Sequence, residues 1–353
     1  MLQKSWILLL IFQPLMTKAT RDYHPSKRKG ADHSSTMGAG SRVRVKPFEI
    51  PLSVDHLEVS FGDRQVRLTN LNKLFWPEPK ITKRDLLQYY ADVSPVLLPH
   101  IRDRAMVMKR YPNGAGSEFF FMKRAPSPRP EWIEICSIEH GSGSVIGFPI
   151  VSDLAALLWV INLGCIDLNQ WYARCDDVDR PDYLHFDLDP VPDAKFVQVR
   201  ETALAVDEAL ASLGMPRYAK TTGSKGIHIY VPIVRGPTQK QVWTIAKEIA
   251  NVLASAHPQL ITAQYKIAKR PKSRVLVDYN QNAWGRTLAS IYSIRPTPLA
   301  TVSTPVTWKE IERGVEIQDF RIDNVRKRIA RLGDLWSPLL DKKKRFDLRP
   351  YIK

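Results

Sequence analysis

The chain has 353 residues, 44% of them hydrophobic, enough to bury a sizeable core in one large domain or two small ones. Its 52 lysines and arginines against 36 acidic residues leave a formal charge of +16. That excess points to an acidic partner, nucleic acid being the commonest, because each neutralised phosphate releases counterions. No stretch is apolar for long enough to form a membrane-spanning helix. Three cysteines, Cys136, Cys165 and Cys175, contain no CxxC pair; they argue against a disulfide framework and a structural zinc site, and fit a reducing cytoplasm.

Lys4 precedes the apolar run Trp6 to Phe12, the outline of a weak signal peptide. The run is short, Gln13 and Pro14 interrupt it, and no small-residue cleavage site follows. Met16 offers a later start, and a misplaced start over roughly the first fifteen residues is preferred to secretion. Residues 1–46 are read as a disordered basic tail, with Lys27-Arg28-Lys29 and Ser34-Ser35-Thr36 in it; 47–353 form the folded domain. Leu57, Val59 and Phe61 alternate, then Val66 and Leu68, with Gly62-Asp63 between, which predicts a hairpin. Thr82 opens a helix with Asp85 as capping-box partner, its apolar face carrying Leu86, Tyr89, Tyr90 and Val93. A second helix runs from about Ala194 to Leu213 and stops at Gly214. A third follows Thr238 and carries Val242, Ile245, Ile249 and Leu253. Short strands lie between, at Tyr183–Leu188, Ile227–Ile233 and Arg274–Tyr279. The mixture predicts an α/β or α+β fold, with the strand order left open.

His185-Phe186-Asp187-Leu188-Asp189-Pro190 is the strongest local signal. On a strand, Asp187 and Asp189 share a face, and two carboxylates so close repel unless a cation sits between them. Hard oxygen ligands suit Mg²⁺ or Mn²⁺. Two solvated aspartates on a strand edge, or the DxD of a glycosyltransferase, satisfy the same pattern. In Thr221-Thr222-Gly223-Ser224-Lys225-Gly226-Ile227-His228 two glycines let backbone N–H groups approach phosphate, Lys225 adds a charge, and Thr222 and Ser224 add hydroxyls. The spacing is not that of a Walker A loop. Ile227, Ile229 and Val231 would face the core, and His228 and Tyr230 the site. Asp278 ends the apolar strand Val275-Leu276-Val277 and is a natural third carboxylate; two metals held by three aspartates form the usual clamp for in-line phosphoryl transfer. Arg295 is a candidate triphosphate clamp.

Together these blocks resemble the primase-polymerase (archaeo-eukaryotic primase) superfamily, and within it the polymerase domain of bacterial DNA ligase D, the end-joining enzyme. The likeness runs from about Leu57 to the C-terminus. It includes Leu68-Thr69-Asn70 with Lys73, Thr82-Lys83-Arg84-Asp85, Lys109-Arg110-Tyr111-Pro112, and the FDLDP, GSKGIH, VDYNQN and YSIRPTP stretches. The resemblance implies an α+β, bilobed primase-polymerase fold with an RRM-like catalytic sheet. It implies Asp187, Asp189 and Asp278 as catalytic ligands of two Mn²⁺ or Mg²⁺ ions. Ser224, Lys225, His228 and Arg295, with Thr222 and Gln281 as weaker candidates, would bind the incoming NTP or dNTP. Asn70, Lys73, Lys83 and Lys109 would bind a DNA 5′-phosphate at a gap or broken end, and Phe120 and Phe121 would stack on template bases. Strand alternation predicts that one of those two rings packs inside. The chain departs from the family at Asn169, where a histidine is common; asparagine cannot carry charge near neutral pH.

The implied activity is template-directed DNA or RNA synthesis at gaps and ends, with ribonucleotides tolerated, in a bacterial-type cytoplasm at the nucleoid. No KxDG adenylation motif is found, so a separate ATP-dependent DNA ligase would be a partner, and the resemblance implies a Ku-type end-binding protein as another. A primer-synthesising primase, and a non-catalytic DNA-end-binding factor that recruits a ligase, are the rival readings.

Overall fold

The structure, a computed structural model, describes residues 48–141 and 143–352. The basic tail expected over 1–46 lies outside the described residues. In chain order the strands are β1 (Leu57–Phe61), β2 (Arg64–Leu68), β3 (Leu74–Trp76), β4 (Ile81–Thr82), β5 (Met106–Arg110), β6 (Phe120–Met122), β7 (Ile135–Glu139), β8 (Val145–Pro149), β9 (Cys165–Trp171), β10 (Tyr183–Pro190), β11 (Tyr218–Thr221), β12 (Ile227–Pro232), β13 (Ile261–Thr262), β14 (Val275–Asp278), β15 (Thr287–Ala289) and β16 (Pro305–Val306). The described helices are α1 (Lys83–Ile101), α2 (Leu154–Asn162), α3 (Phe196–Ser212), α4 (Gln239–Ala256), α5 (Trp308–Glu312) and α6 (Val325–Leu332).

The central unit is β10-α3-β11-β12-α4-β14. Its strands lie in the order β14-β10-β12-β11, antiparallel throughout, with β13 and β16 added at the two edges. This is the split βαβ arrangement of an RRM sheet, and it confirms the α+β class. α3 and α4 pack against β10 and β14, burying Val199, Ala203, Val206 and Leu210 from α3 and Val242, Ile245, Ile249 and Leu253 from α4. β12 alternates as expected, with Ile227, Ile229 and Val231 inside. Capping matches the sequence too: Thr82 and Asp85 form a capping box at α1, Thr238 and Gln241 another at α4, and Gly214 follows α3 with φ +70°.

A second, four-stranded antiparallel sheet, β15-β9-β5-β6, brings a different part of the chain to the site. α1 and α2 pack on each other, and α2 also meets β9. Every residue of β9 is buried. The expected hairpin is β1–β2, with the turn at Gly62-Asp63.

Two expectations are corrected. Cys136 on β7 and Cys175 after β9 form a disulfide, with Cα atoms 5.7 Å apart. The pairing arises because the β7–β8 hairpin lies beside the segment leaving β9, an approach that cysteine spacing does not encode. Only Cys165 is a free, buried thiol. Tyr230 does face the same side as His228 but does not reach the site, because Trp336 lies on it with ring centroids 4.8 Å apart and His185 stacks on it at 5.1 Å. Among the described residues no helix is long and apolar enough to cross a membrane.

Candidate functional site

Register places four polar residues in one row across the sheet. Asp278 on β14 is opposite Asp187 on β10; Asp187 is opposite His228 on β12; His228 is opposite Lys220 on β11. Directly opposed residues project to the same face, so the row is a continuous polar stripe over a buried sheet. Asp189 stands two residues along β10 from Asp187, on the same face.

The carboxylates are crowded and dry. Burial, and then the charge of Asp278, push Asp187 up to about 7. The charge of Asp187, and then burial, push Asp189 up to about 7 as well. Asp187 Oδ1 lies 3.2 Å from His228 Nε2 without the alignment of a hydrogen bond, and is a buried oxygen with no hydrogen-bonding partner. Asp278 is differently placed: it accepts from the Asn280 N–H at 2.8 Å and from Gln281 Nε2 at 3.1 Å. Among the described residues no group of three His, Cys, Asp or Glu side chains is disposed to hold a metal ion. Asp187 and Asp189 nevertheless have the chemistry of a cation site, since anions raised by mutual repulsion are relieved by a positive charge between them.

Behind Asp187 sits a lysine that the sequence reading did not select. Lys220 is fully buried, with Nζ 2.7 Å from His228 Nδ1, 2.9 Å from Ala289 O and 2.5 Å from Ser303 Oγ. Burial, and then the nearby Lys220, hold His228 well below the usual histidine range, so the imidazole is neutral with Nδ1 engaged and Nε2 aimed at Asp187. Pairing the two strands of KTTGSKGIH as a hairpin would have put Lys220 beside His228. His185, on the same face, is a packing residue: burial, then His228, lower it to about 3, and it packs between Tyr172 and Tyr230.

The glycine loop works differently from expectation. Its N–H groups do not point outward. Those of Ser224, Lys225 and Gly226 all donate to Thr222 Oγ1, at 3.1, 3.2 and 3.0 Å. Thr222 is therefore the buried pin of the loop, and the groups left exposed are the side chains of Ser224 and Lys225. Both glycines are required. Gly223 has φ +67°, and a Cβ there would meet Ser303 N and Arg295 Cγ at 2.8 Å; a Cβ on Gly226 would lie 2.1 Å from Leu188 O, between the two motif aspartates.

Arg295 approaches from the far side. It donates to Thr222 O at 3.1 Å, and its Nε lies 3.3 Å from Asp167 Oδ2. Asp167, buried on β9, was also missed by sequence reading; a lone aspartate inside an otherwise buried strand gives no local signal of its arginine. Asn169 lies on the same face of β9 and donates to Asp167 O at 3.1 Å.

Outside the carboxylate row, Asn70, Asn72, Lys73 and Asp55 line an open cavity of about 600 Å³. Asn70 has φ +54°, in the left-handed region that asparagine tolerates. Lys83 joins by electrostatics: burial, and then the charge of Lys73, lower it to about 8. Lys109 is not brought to this cavity. Its ammonium lies 4.0 Å from the Phe119 ring centroid, close to Tyr111 and Phe121, and feels the charges of Asp167 and Arg295. Phe120 and Phe121 are both exposed, as is Phe119, against the expectation that one ring packs inside. The reason is that β6 is a three-residue edge strand.

An RRM-type sheet with a carboxylate row on one face, a pinned Gly-Ser-Lys-Gly hairpin beside it and an arginine set over that hairpin is the architecture of a primase-polymerase catalytic domain. Residues 82–336 match the family model for the LigD primase-polymerase domain. The chain is 35% identical over 277 residues to the multifunctional non-homologous end joining protein LigD of Mycolicibacterium smegmatis, covering 78% of this chain and 36% of that protein. It is 32% identical over 270 residues to the bifunctional non-homologous end joining protein LigD of Bacillus subtilis, covering 76% and 43%. The solved polymerase domain of Mycobacterium tuberculosis ligase D in complex with DNA superposes with a TM-score of 0.73 at 32% identity, covering 78% of this chain and 98% of that one. This chain belongs to the LigD primase-polymerase domain family. It spans about two fifths or less of the length of the curated relatives it matches.

Proposed function

We propose that this chain is a template-directed nucleotidyltransferase that extends primers at DNA gaps and broken ends, tolerates ribonucleotides and acts in non-homologous end joining or gap filling. The observation that carries this reading is the row Asp278–Asp187–His228–Lys220, with Asp189 beside it. Asp187 and Asp189 would hold Mn²⁺ or Mg²⁺, and Asp278, already oriented by Asn280 and Gln281, would complete the ligand set. When bound, such ions lower the pKa of a primer hydroxyl and offset charge on the triphosphate.

The chain's own residues do the rest. His228, neutral and tied at Nδ1, presents Nε2 beside Asp187, where it can donate to a phosphate oxygen if that nitrogen carries the proton. Ser224 and Lys225 offer a hydroxyl and an ammonium from the hairpin tip, and Arg295 adds a guanidinium held by Asp167 and the Thr222 carbonyl. Asn70, Lys73 and Lys83 would take the 5′-phosphate on the far side of a gap, Phe120 and Phe121 would stack on template bases, and Lys109 lies against the aromatic cluster that includes Phe121. The DNA in the tuberculosis ligase D complex supports DNA as the partner here. A separate ligase and a Ku-type end-binding protein belong to the same proposal, by family alone.

The test is primer extension on a short gapped duplex with Mn²⁺ and each of NTP and dNTP, with and without the 5′-phosphate. Extension that weakens without the phosphate is expected. Tight binding with no extension by any nucleotide would overturn the assignment in favour of an end-binding factor.

A further inference from the structure

A second basic cleft lies past the β16 edge of the catalytic sheet, the edge away from Asp278. It has a volume of about 590 Å³ and is walled by the end of α5, the Gly314–Phe320 segment and one side of α6. The cations around it fall into two groups. Arg200 pairs with Glu316, Arg321 with Asp323, Arg326 with Asp92, and Arg328 with Glu310 through both guanidinium nitrogens while lying 4.9 Å from the Phe320 ring. Arg313, Lys327 and Arg331 line the cleft, are exposed, and have no ion-pair partner among the described residues. The acids in the wall are already engaged: Glu310 by Arg328, and Asp319 by the Glu316 N–H at 2.8 Å.

Lys327 and Arg331 are one helical turn apart on the same side of α6, about 6 Å along its axis. Arg313, the residue that follows α5, lines the same cleft. Two guanidiniums and an ammonium, unpaired around an open cleft where every neighbouring arginine has found an acid, form a receptor for successive anions. Guanidinium favours the planar, bidentate geometry of phosphate.

We propose that this cleft is a second phosphate-binding site, which holds the sugar–phosphate backbone of DNA away from the reacting end. The inference rests on the proposed DNA substrate and extends it: the footprint would run past the active-site row to the opposite edge of the sheet, so the cleft would add affinity for long DNA without touching chemistry.

The experiment compares the triple variant Arg313→Ala, Lys327→Ala, Arg331→Ala with a charge-matched control, Lys80→Ala, Lys195→Ala, Lys240→Ala, whose lysines are exposed elsewhere. Binding to a long gapped duplex is measured across a salt series, and extension is measured at saturating DNA. For the cleft variant the slope of log K against log salt should become shallower by about 2 to 3, with roughly tenfold weaker binding near 0.1 M salt. Its kcat and its KM for nucleotide should stay at wild-type values. Salt slope and affinity equal to the control overturn the site, as does an equal loss of kcat. A variant that keeps the control's DNA binding but no longer binds poly-glutamate assigns the cleft to an acidic polypeptide and also overturns it. If wild-type protein neither binds nor extends DNA, the proposed function has failed first; if it does both and only the variants coincide, the cleft alone has failed.

Discussion

Asp187 is held where a carboxylate is least comfortable, buried beside Asp278 and within one pleat of Asp189. Both motif aspartates titrate near 7 in the folded protein, against about 3.9 in an unfolded chain. Without metal the folded state therefore binds protons that the unfolded state has released. The stability this contributes is full below about pH 4 and is lost as pH rises through 7. Thermal melts in chelator should show the melting temperature falling between pH 5 and 8. Asp187→Asn should flatten that fall and raise the pH 8 melting temperature by several degrees, while removing at least ~10³ of extension activity. A pH-independent melting curve in the wild type would sink this reading of the pair. Lys83 supplies the second pH signature. Lowered to about 8, it loses its charge well before an ordinary lysine does. The stimulation of extension by a 5′-phosphate should fade between pH 7.5 and 9, an assay of gap filling across that range; undiminished stimulation at pH 9 would remove Lys83 from the phosphate site.

At the scale of elements, the β11–β12 hairpin is built against β10 with no spare room. A methyl group on Gly226 meets the Leu188 carbonyl, a backbone atom that cannot step aside. Gly226→Ala should therefore cost more than about 2 kcal/mol and displace Asp189, whereas Gly62→Ala, at φ +64° with nothing within 4 Å, should cost about 1 kcal/mol and leave activity intact. Urea melts and extension rates on the two variants check this; equal effects would refute the close approach. The elements that were legible in the sequence are those with a local signature. The capping boxes at Thr82 and Thr238, the β1–β2 alternation and the strand bearing Asp187 and Asp189 each announce themselves within a few residues. The strand order was not legible, because register between β10, β12 and β14 is set by packing of α3 and α4 on the sheet. β9 was hidden for another reason: Ile166 and Leu168 alternate with Asp167 and Asn169 over only four residues, and its polar side is buried as fully as its apolar side. Asp167 and Lys220 went unseen with it, since each acquires its meaning only from a partner on another strand.

Across the whole molecule, charge and crosslinking set the behaviour in solution. The Cys136–Cys175 bond closes a loop of sequence separation 39 between the β7–β8 hairpin and the segment after β9. Closing a loop of that size restricts the unfolded chain by about 3 to 4 kcal/mol. Melts with and without reductant should differ by several degrees, and the paired variant Cys136→Ser, Cys175→Ser should melt with the reduced protein; identical melts would show that the bond contributes nothing. The excess of positive charge, +16, would make the proposed encounter with DNA salt-sensitive whatever the sequence of the DNA.

The row Asp278–Asp187–His228–Lys220 draws one residue from each of four neighbouring strands. Side chains on a strand alternate between faces, so a slip of one residue in any of the four turns its member to the helix side, and a slip of two carries it about 7 Å along the sheet. No slightly misaligned version of this site exists. Insertions in the helix connections leave the row standing, whereas a single inserted residue inside β10, β11, β12 or β14 erases it outright. For the proposed activity, a one-residue slip in any of the four strands should therefore abolish extension rather than weaken it, so that extension by an insertion variant reports whether its strands are aligned.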